Sequence, residues 1–257
     1  MKQAAVVIGM GEMGGVFARG FLRDGRAVVP VLRNSDLTQL AAEFAEPAVV
    51  LVAVGEAQLH DVLAEIPAPW RGRPALLQNE LLARDWERHG LDTPTLAVVW
   101  FEKKPGRDAK VILPTPLYGP AAGVLAAALE ALGIPCRLLE DASQLDFELV
   151  RKNLYILVSN IAGLEVGGDV GGLWAAHRDL ALTVADEVLA IQEWLTGTPL
   201  ARDALIDGMV EAFRADPAHR CTGRSAPGRL ARALAHADQA GLDVPRLRAI
   251  GARSAGT

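Results

Sequence analysis

Val6-Val7-Ile8-Gly9-Met10-Gly11-Glu12-Met13-Gly14-Gly15 runs straight into Val16-Phe17-Ala18-Arg19-Gly20-Phe21-Leu22: an apolar strand, a G-x-G-x-x-G turn and a helical pattern in uninterrupted order. Each glycine has a separate use in such a turn. Gly9 permits the tight bend, Gly11 lets a pyrophosphate approach the backbone, and Gly14 lets the helix pack closely on the strand. The start of the helix adds unpaired N–H groups and the positive end of its dipole. Spacing alone is weak in a chain with 25 glycines. The strand before the turn and the helix after it make Gly9, Met10, Gly11, Glu12, Met13 and Gly14 a candidate dinucleotide-binding stretch. Glu12 is an awkward neighbour for a diphosphate and is expected to point to solvent.

The next strand, Ala27-Val28-Val29-Pro30-Val31-Leu32-Arg33, ends without the acid that holds a ribose 2′-hydroxyl in NAD-selective folds. Arg33 stands there instead, 19 residues past Gly14, near the roughly 20-residue spacing of the ribose-contacting position. A guanidinium fork matches a phosphate, so the expected cofactor is NADP(H). The alternative is a solvated surface arginine.

The rest of the chain agrees with an α/β enzyme-sized protein. It has 257 residues, 51% of them hydrophobic, enough for two modest domains. A net charge of −5 with dispersed arginines offers no field for nucleic acid. Only a short apolar run follows Met1-Lys2-Gln3 before Glu12 and Arg19, so neither a signal peptide nor a membrane span is expected, and the expected location is cytoplasmic. Cys136 and Cys221 fit no metal spacing and read as packed thiols. His60 and His177 read as helical and have no partner in sequence that suggests a metal or a triad, so no metal site is expected.

Beyond Arg33 the pattern alternates. Asp36 to Phe44 reads as a helix and Ala48 to Val54 as a third parallel strand buried on both faces. Gln58 to Ile66 reads as a helix, Pro74 to Leu77 as a strand, Leu81 to His89 as a helix and Thr95 to Trp100 as a strand. Lys110 to Leu113 and the segment through Tyr118 read as a strand pair, with Pro114 and Pro116 marking an edge or turn. An alanine-rich helix to Leu132 and a strand Cys136 to Leu139 complete a Rossmann-type doubly wound domain over residues 1–140. From Asp141 no strand is expected. Residues 141–257 read as an all-helical substrate and dimerisation domain, with helices Ala142 to Leu164, Trp174 to Leu195, Ala201 to Ala215 and Pro227 to Ala240. Gly167-Gly168, Gly171-Gly172, Gly197-Thr198-Pro199 and Asp216-Pro217 read as breaks, and the tail from Ala249 to Thr257 as frayed. The apolar helices leave room for a homodimer.

This order of domains resembles the superfamily of 6-phosphogluconate dehydrogenase, and within it the ketopantoate reductases (2-dehydropantoate 2-reductases). The opening Gly9 to Ala18, Arg33, Leu77-Gln78-Asn79 after the fourth strand, Gly119-Pro120 with its helix, and Leu139 to Asn160 carry the resemblance. Gly9-Met10-Gly11-Glu12-Met13-Gly14 also looks like the G-x-G-x-M-G of β-hydroxyacid dehydrogenases. The resemblance implies hydride transfer from NADPH to a 2-keto acid, with Lys152 as the proton donor to the ketone oxygen. A lysine beside a cationic or apolar pocket can have its pKa lowered toward neutrality, which suits that role; otherwise Lys152 is a surface charge. Asn160 matches the family's pocket-lining asparagine; the alternative is a helix asparagine satisfied by water or a cap. Asn79, at the carboxyl end of a strand, is expected to touch cofactor or substrate.

The substrate end departs from the family. Gly55 stands where the family has a lysine, Ile156 where it has an asparagine, and Gly223 and Arg224 where it has a substrate-binding glutamate. Glu80 stands where it tends to have glycine. Arg224 is a candidate for recognising an extra carboxylate or phosphate; the alternatives are a solvated arginine or one facing the cofactor. Trp100-Phe101-Glu102-Lys103-Lys104, after the fifth strand, could cap the pocket or supply lost charge; the alternative is solvated loop lysines. The expectation is an NADP(H)-dependent oxidoreductase acting on a small 2-keto acid or related carbonyl other than ketopantoate. The alternative is an NADP(H)-binding sensor or regulatory protein without efficient turnover.

Overall fold

The structure is a computed structural model that describes residues 2–254. The chain divides into two compact units between Glu148 and Leu149.

The first unit is built on strands β1 (Ala5–Ile8), β2 (Val28–Val31), β3 (Val49–Val52), β4 (Pro74–Leu76), β5 (Thr95–Ala97), β6 (Phe101–Glu102), β7 (Lys110–Val111), β8 (Thr115–Tyr118) and β9 (Cys136–Leu138). Helices α1 (Glu12–Arg23), α2 (Leu37–Glu43), α3 (Leu59–Glu65), α4 (Ala83–Glu87) and α5 (Ala122–Glu130) alternate with them. Seven strands form one sheet in the order β2-β1-β3-β4-β5-β8-β9. All neighbours are parallel except β5 and β8. Every residue of β1 and β3 is buried, as strands covered on both faces require. One cover is supplied by Phe17 and Phe21 of α1 and Leu125 and Leu129 of α5. The chain leaves β1 for β2 on one side and returns to β3 on the other. The carboxyl end of β1 is therefore the topological switch point, where doubly wound sheets take their ligands.

Lys110 to Leu113 and the segment through Tyr118 do not pair with one another. β7 forms an antiparallel ribbon with β6, and β8 joins the large sheet between β5 and β9. Pro116 therefore lies inside a central strand, and its carbonyl still accepts from Val98 N–H at 2.9 Å. The strand expected to run to Trp100 ends as a regular strand at Ala97; Val98 still bonds β8 through its backbone, whereas Trp100 N–H donates to the side-chain Oγ1 of Thr115 at 3.2 Å. His60 does have a partner that sequence proximity hides: its Nδ1 lies 3.1 Å from His89 Nε2 with the rings stacked. Burial is the main cause that lowers both imidazoles below their ordinary pKa.

Helix α6 (Ala142–Val166) begins in the first unit. Asp141 caps it, accepting from Gln144 N–H at 2.9 Å and Ser143 Oγ at 2.6 Å, and these bonds lower its carboxyl pKa. Glu148, on α6, is held by Arg137 of β9 at 2.6 Å.

The second unit holds the remainder of α6 with α7 (Val170–Ala176), α8 (Arg178–Thr196), α9 (Arg202–Ala215), α10 (Ala226–Ala240) and α11 (Pro245–Ser254). The helix expected from Trp174 to Leu195 is two helices broken at His177, which sits at φ −132°, ψ 36° rather than in a helix. Gly171-Gly172, expected as a break, lies inside α7, because the Asp169 side chain accepts from Gly172 N–H at 2.8 Å and starts the helix earlier. The tail expected to fray from Ala249 is helical through Ser254, and its last three residues lie outside those described. The carboxylate of Glu187 accepts from the N–H groups of Arg246 at 2.8 Å and Leu247 at 2.9 Å, while Glu165 pairs with Arg246 and Arg253 at 2.7 Å each. Capping and these ion pairs hold a segment whose composition alone would not. Among the described residues, no helix is long and apolar enough to cross a membrane.

Candidate functional site

The glycine turn has the geometry its sequence requires. Gly9 sits at φ +92°, and a Cβ on Gly14 would lie 1.9 Å from the carbonyl oxygen of Gly9, so only glycine allows α1 to start this close to β1. A Cβ on Gly11 would meet nothing within 4 Å, which leaves its backbone open to a ligand. The first helical bond of α1 runs from Gly15 N–H to Gly11 O at 2.8 Å, and Gly11 supplies no side-chain cap. The amides of Glu12, Met13 and Gly14 thus have no acceptor within the helix. They form a cradle that fits a diphosphate in charge and in hydrogen-bond polarity. Met10 is exposed, whereas the Met13 side chain packs on the core.

Glu12 is not simply solvated. Its Oε2 lies 2.9 Å from Lys103 Nζ, across a cavity of about 340 Å³ whose lining includes Gly11, Gly15, Arg19 and both members of the pair. Arg33 lies two residues past β2, exposed, at the tip of a turn closed by Ser35 N–H to Leu32 O and by Leu32 N–H to Ser35 Oγ. Among the described residues, no hydrogen bond or ion pair engages its guanidinium.

Asn79 is half-buried in the loop after β4. The residue that fixes this loop is Gln78, whose Nε2 donates to Val52 O at 2.8 Å and Val54 O at 3.2 Å, tying the end of β3 to that of β4. Glu80 has φ +61°, so the backbone takes the left-handed form that favours glycine although a glutamate occupies it.

On the second unit, Lys152 is half-buried on α6 with its ammonium 5.5 Å from the centre of the Tyr155 ring. Burial first, then the positive charges of Arg229 and Arg151, push its pKa down to about 7. Arg151 is itself paired with Glu211 at 2.9 Å and donates to Gly208 O at 3.1 Å. Ile156 is half-buried one turn further on. Asn160, two turns along, is buried, and its Oδ1 accepts from Arg229 Nη1 at 2.9 Å.

Arg229, on α10, is the residue that sequence reasoning missed. Arg224 was the arginine singled out, yet it is exposed in the turn before α10, and the structure brings Arg229 rather than Arg224 to Asn160. A helical register beginning at Ala226 places Arg229 on the same face as buried Ala226, Leu230 and Ala233, which was the available sign. Gly223 is exposed with open space around it. Cys221 is buried, and burial pushes its thiol up to about 11, which suits a packed rather than a nucleophilic cysteine.

The fold and the glycine turn define a class: a doubly wound α/β unit followed by a helical unit. Comparison with solved structures narrows it, for the chain has the ketopantoate reductase fold. It matches 2-dehydropantoate 2-reductase from Methylococcus capsulatus with a TM-score of 0.67 and 16% identity, over 97% of this chain and 94% of that one. It matches the PanE/ApbA family ketopantoate reductase from Ralstonia eutropha JMP134 with a TM-score of 0.66 and 17% identity, over 97% of each chain. D-mandelate dehydrogenase, solved with NADH and anilino(oxo)acetate, gives a TM-score of 0.69 and 12% identity, over 98% of this chain and 97% of that one. No protein-family model matches the chain, and no curated protein matches its sequence.

Proposed function

We propose that this chain is an NADP(H)-dependent oxidoreductase that reduces a small 2-keto acid or related carbonyl. The observation that carries the reading is Lys152, a half-buried lysine on α6 with its pKa lowered to about 7 by burial, Arg229 and Arg151. A group that titrates near neutrality is matched to proton transfer at physiological pH. The amides of Glu12, Met13 and Gly14 would hold the cofactor's diphosphate, and Arg33 would hold a 2′-phosphate. When bound, the reduced nicotinamide supplies a hydride to the carbonyl carbon. Lys152 then gives one proton from its ammonium to the oxygen as the C=O π pair becomes an alkoxide, leaving an alcohol and a neutral amine. Asn160, held by Arg229, lines the substrate side of the same helix. The fold is shared with a D-mandelate dehydrogenase whose structure contains NADH and a 2-oxo acid derivative, anilino(oxo)acetate, which supports a nicotinamide cofactor and a 2-oxo acid. A dimeric ketopantoate reductase from Staphylococcus aureus has this fold too, at a TM-score of 0.65, and a homodimer is part of the proposal.

The test is oxidation of NADPH against a panel of 2-oxo acids and aldehydes. Turnover that is lost in Lys152→Ala while NADPH still binds supports the reading. Tight NADPH binding with no turnover of any panel member favours the alternative of a cofactor-binding regulatory protein.

A further inference from the structure

The pair formed by Glu12 and Lys103 sits in the place the cofactor needs. Glu12 is the first residue of α1, and a carboxylate there is favoured by the helix dipole for the same reason that a diphosphate is. The two anions therefore compete for one end of one helix. Lys103, just past β6, brings a cation to that end: its side chain is only 13% exposed, whereas Glu12 is 42% exposed. The ammonium also donates to Lys104 O at 2.7 Å, which holds it at the rim of the cavity beside Gly11 and Gly15. Glu12 is the freer partner and the one able to swing away.

Resting on the NADP(H) reading, we propose that Lys103 is a ligand of the cofactor diphosphate and that Glu12 is its counter-ion in the free protein, displaced when the dinucleotide binds. No bond is made or broken, because one anion replaces another on the same ammonium. The diphosphate is common to NADPH and NADH, so the pair acts on both equally, whereas Arg33 discriminates between them. Binding carries the cost of parting Glu12 from Lys103 and of leaving a carboxylate beside a diphosphate. Glu12 thereby loosens the cofactor.

Fluorescence titration of NADPH and NADH into the wild type, Glu12→Gln, Lys103→Met, Lys103→Arg and the Glu12→Gln/Lys103→Met double variant tests this without any turnover. Glu12→Gln should bind both dinucleotides about five- to tenfold more tightly, the opposite of what loss of an ordinary ligand does. Lys103→Met should weaken both by about tenfold, and Lys103→Arg should retain affinity within about threefold. In the double variant, most of the gain from Glu12→Gln should vanish, because the cation that Glu12 occupies is gone. Urea unfolding of each variant confirms that folded protein is compared. Glu12→Gln binding no tighter than wild type, or folded Lys103→Met binding as tightly as wild type, would overturn the inference and leave a static surface ion pair. Failure of both dinucleotides to bind wild type would overturn this inference together with the cofactor reading. The predicted affinities without turnover of any carbonyl compound would overturn the reductase reading alone.

Discussion

Under the proposed reduction, a lysine whose pKa lies near 7 makes the rate depend on pH in a range where ordinary lysines are silent. With Lys152 at about 7, roughly nine-tenths of the ammonium is protonated at about pH 6 and roughly one-hundredth at about pH 9. The kcat/KM for reduction should therefore fall by roughly 100-fold between those limits, tenfold per unit above neutrality. Arg229 is the first of the two charges that depress this pKa, so Arg229→Gln should move the falling limb to higher pH. The same shift appears in stability. The unfolded lysine titrates near 10.5 and the folded one near 7, so between these values the unfolded chain binds more protons and stability rises with pH. The slope can reach about 1.4 kcal/mol per pH unit and the whole window about 5 kcal/mol. Solvent reaching the half-buried side chain brings the measured total below that bound. Lys152→Met removes the ammonium, so it should lack this part of the slope and be more stable than wild type at neutral pH by about 1–3 kcal/mol. Initial rates at saturating NADPH and urea unfolding across the pH series measure both effects. A kcat/KM flat from about pH 6 to 9, or an unfolding slope unchanged by Lys152→Met, would refute the reasoning.

Three other substitutions probe the frame around the site. Gly14→Ala puts a Cβ 1.9 Å from a backbone oxygen, so it should cost about 1–3 kcal/mol in urea unfolding and abolish NADPH binding in titration. Arg33→Ala should weaken NADPH by about 10- to 100-fold and leave NADH within about twofold, since only one of the two carries the 2′-phosphate. Equal losses for both would show that Arg33 does not discriminate. Glu80→Gly removes a side chain from a left-handed backbone position and should stabilise the protein by about 1 kcal/mol in the same unfolding assay.

The parts of the fold that could be read in advance are those governed by local patterns. Buried strands such as Val49–Val52 show as continuous apolar runs, Gly9 and Gly14 announce a turn that no other residue fits, and α6 declares itself by length. The parts that escaped depend on contacts distant in sequence. Lys110-Val111 and Thr115–Tyr118 look like one hairpin, yet each pairs with a different strand, because pairing is decided by the sheet rather than by proximity. α11 owes its start to Glu187 and its flank to Glu165, both more than fifty residues earlier. The candidate site divides in the same way. The glycine turn and Lys152 can be picked out singly from the sequence. The bond between Asn160 and Arg229, the pair of Glu12 with Lys103 and the brace from Gln78 to β3 join residues that no spacing rule connects. Arg224 stands out in sequence because, with Gly223, it occupies the place of the family's glutamate, while Arg229 lies among the buried residues of a helix face.

The central claim is that this chain moves a hydride from NADPH to a carbonyl carbon while Lys152 supplies the proton. It is tested most directly by pairing wild type with Lys152→Ala, each saturated with NADPH as verified by titration, and following loss of the reduced cofactor across the panel of 2-oxo acids and aldehydes. The account predicts saturable oxidation by wild type with at least one 2-oxo acid and a rate reduced by about 100-fold or more in the variant, with NADPH affinity unchanged. No oxidation by wild type, or equal rates in the two proteins, would contradict it.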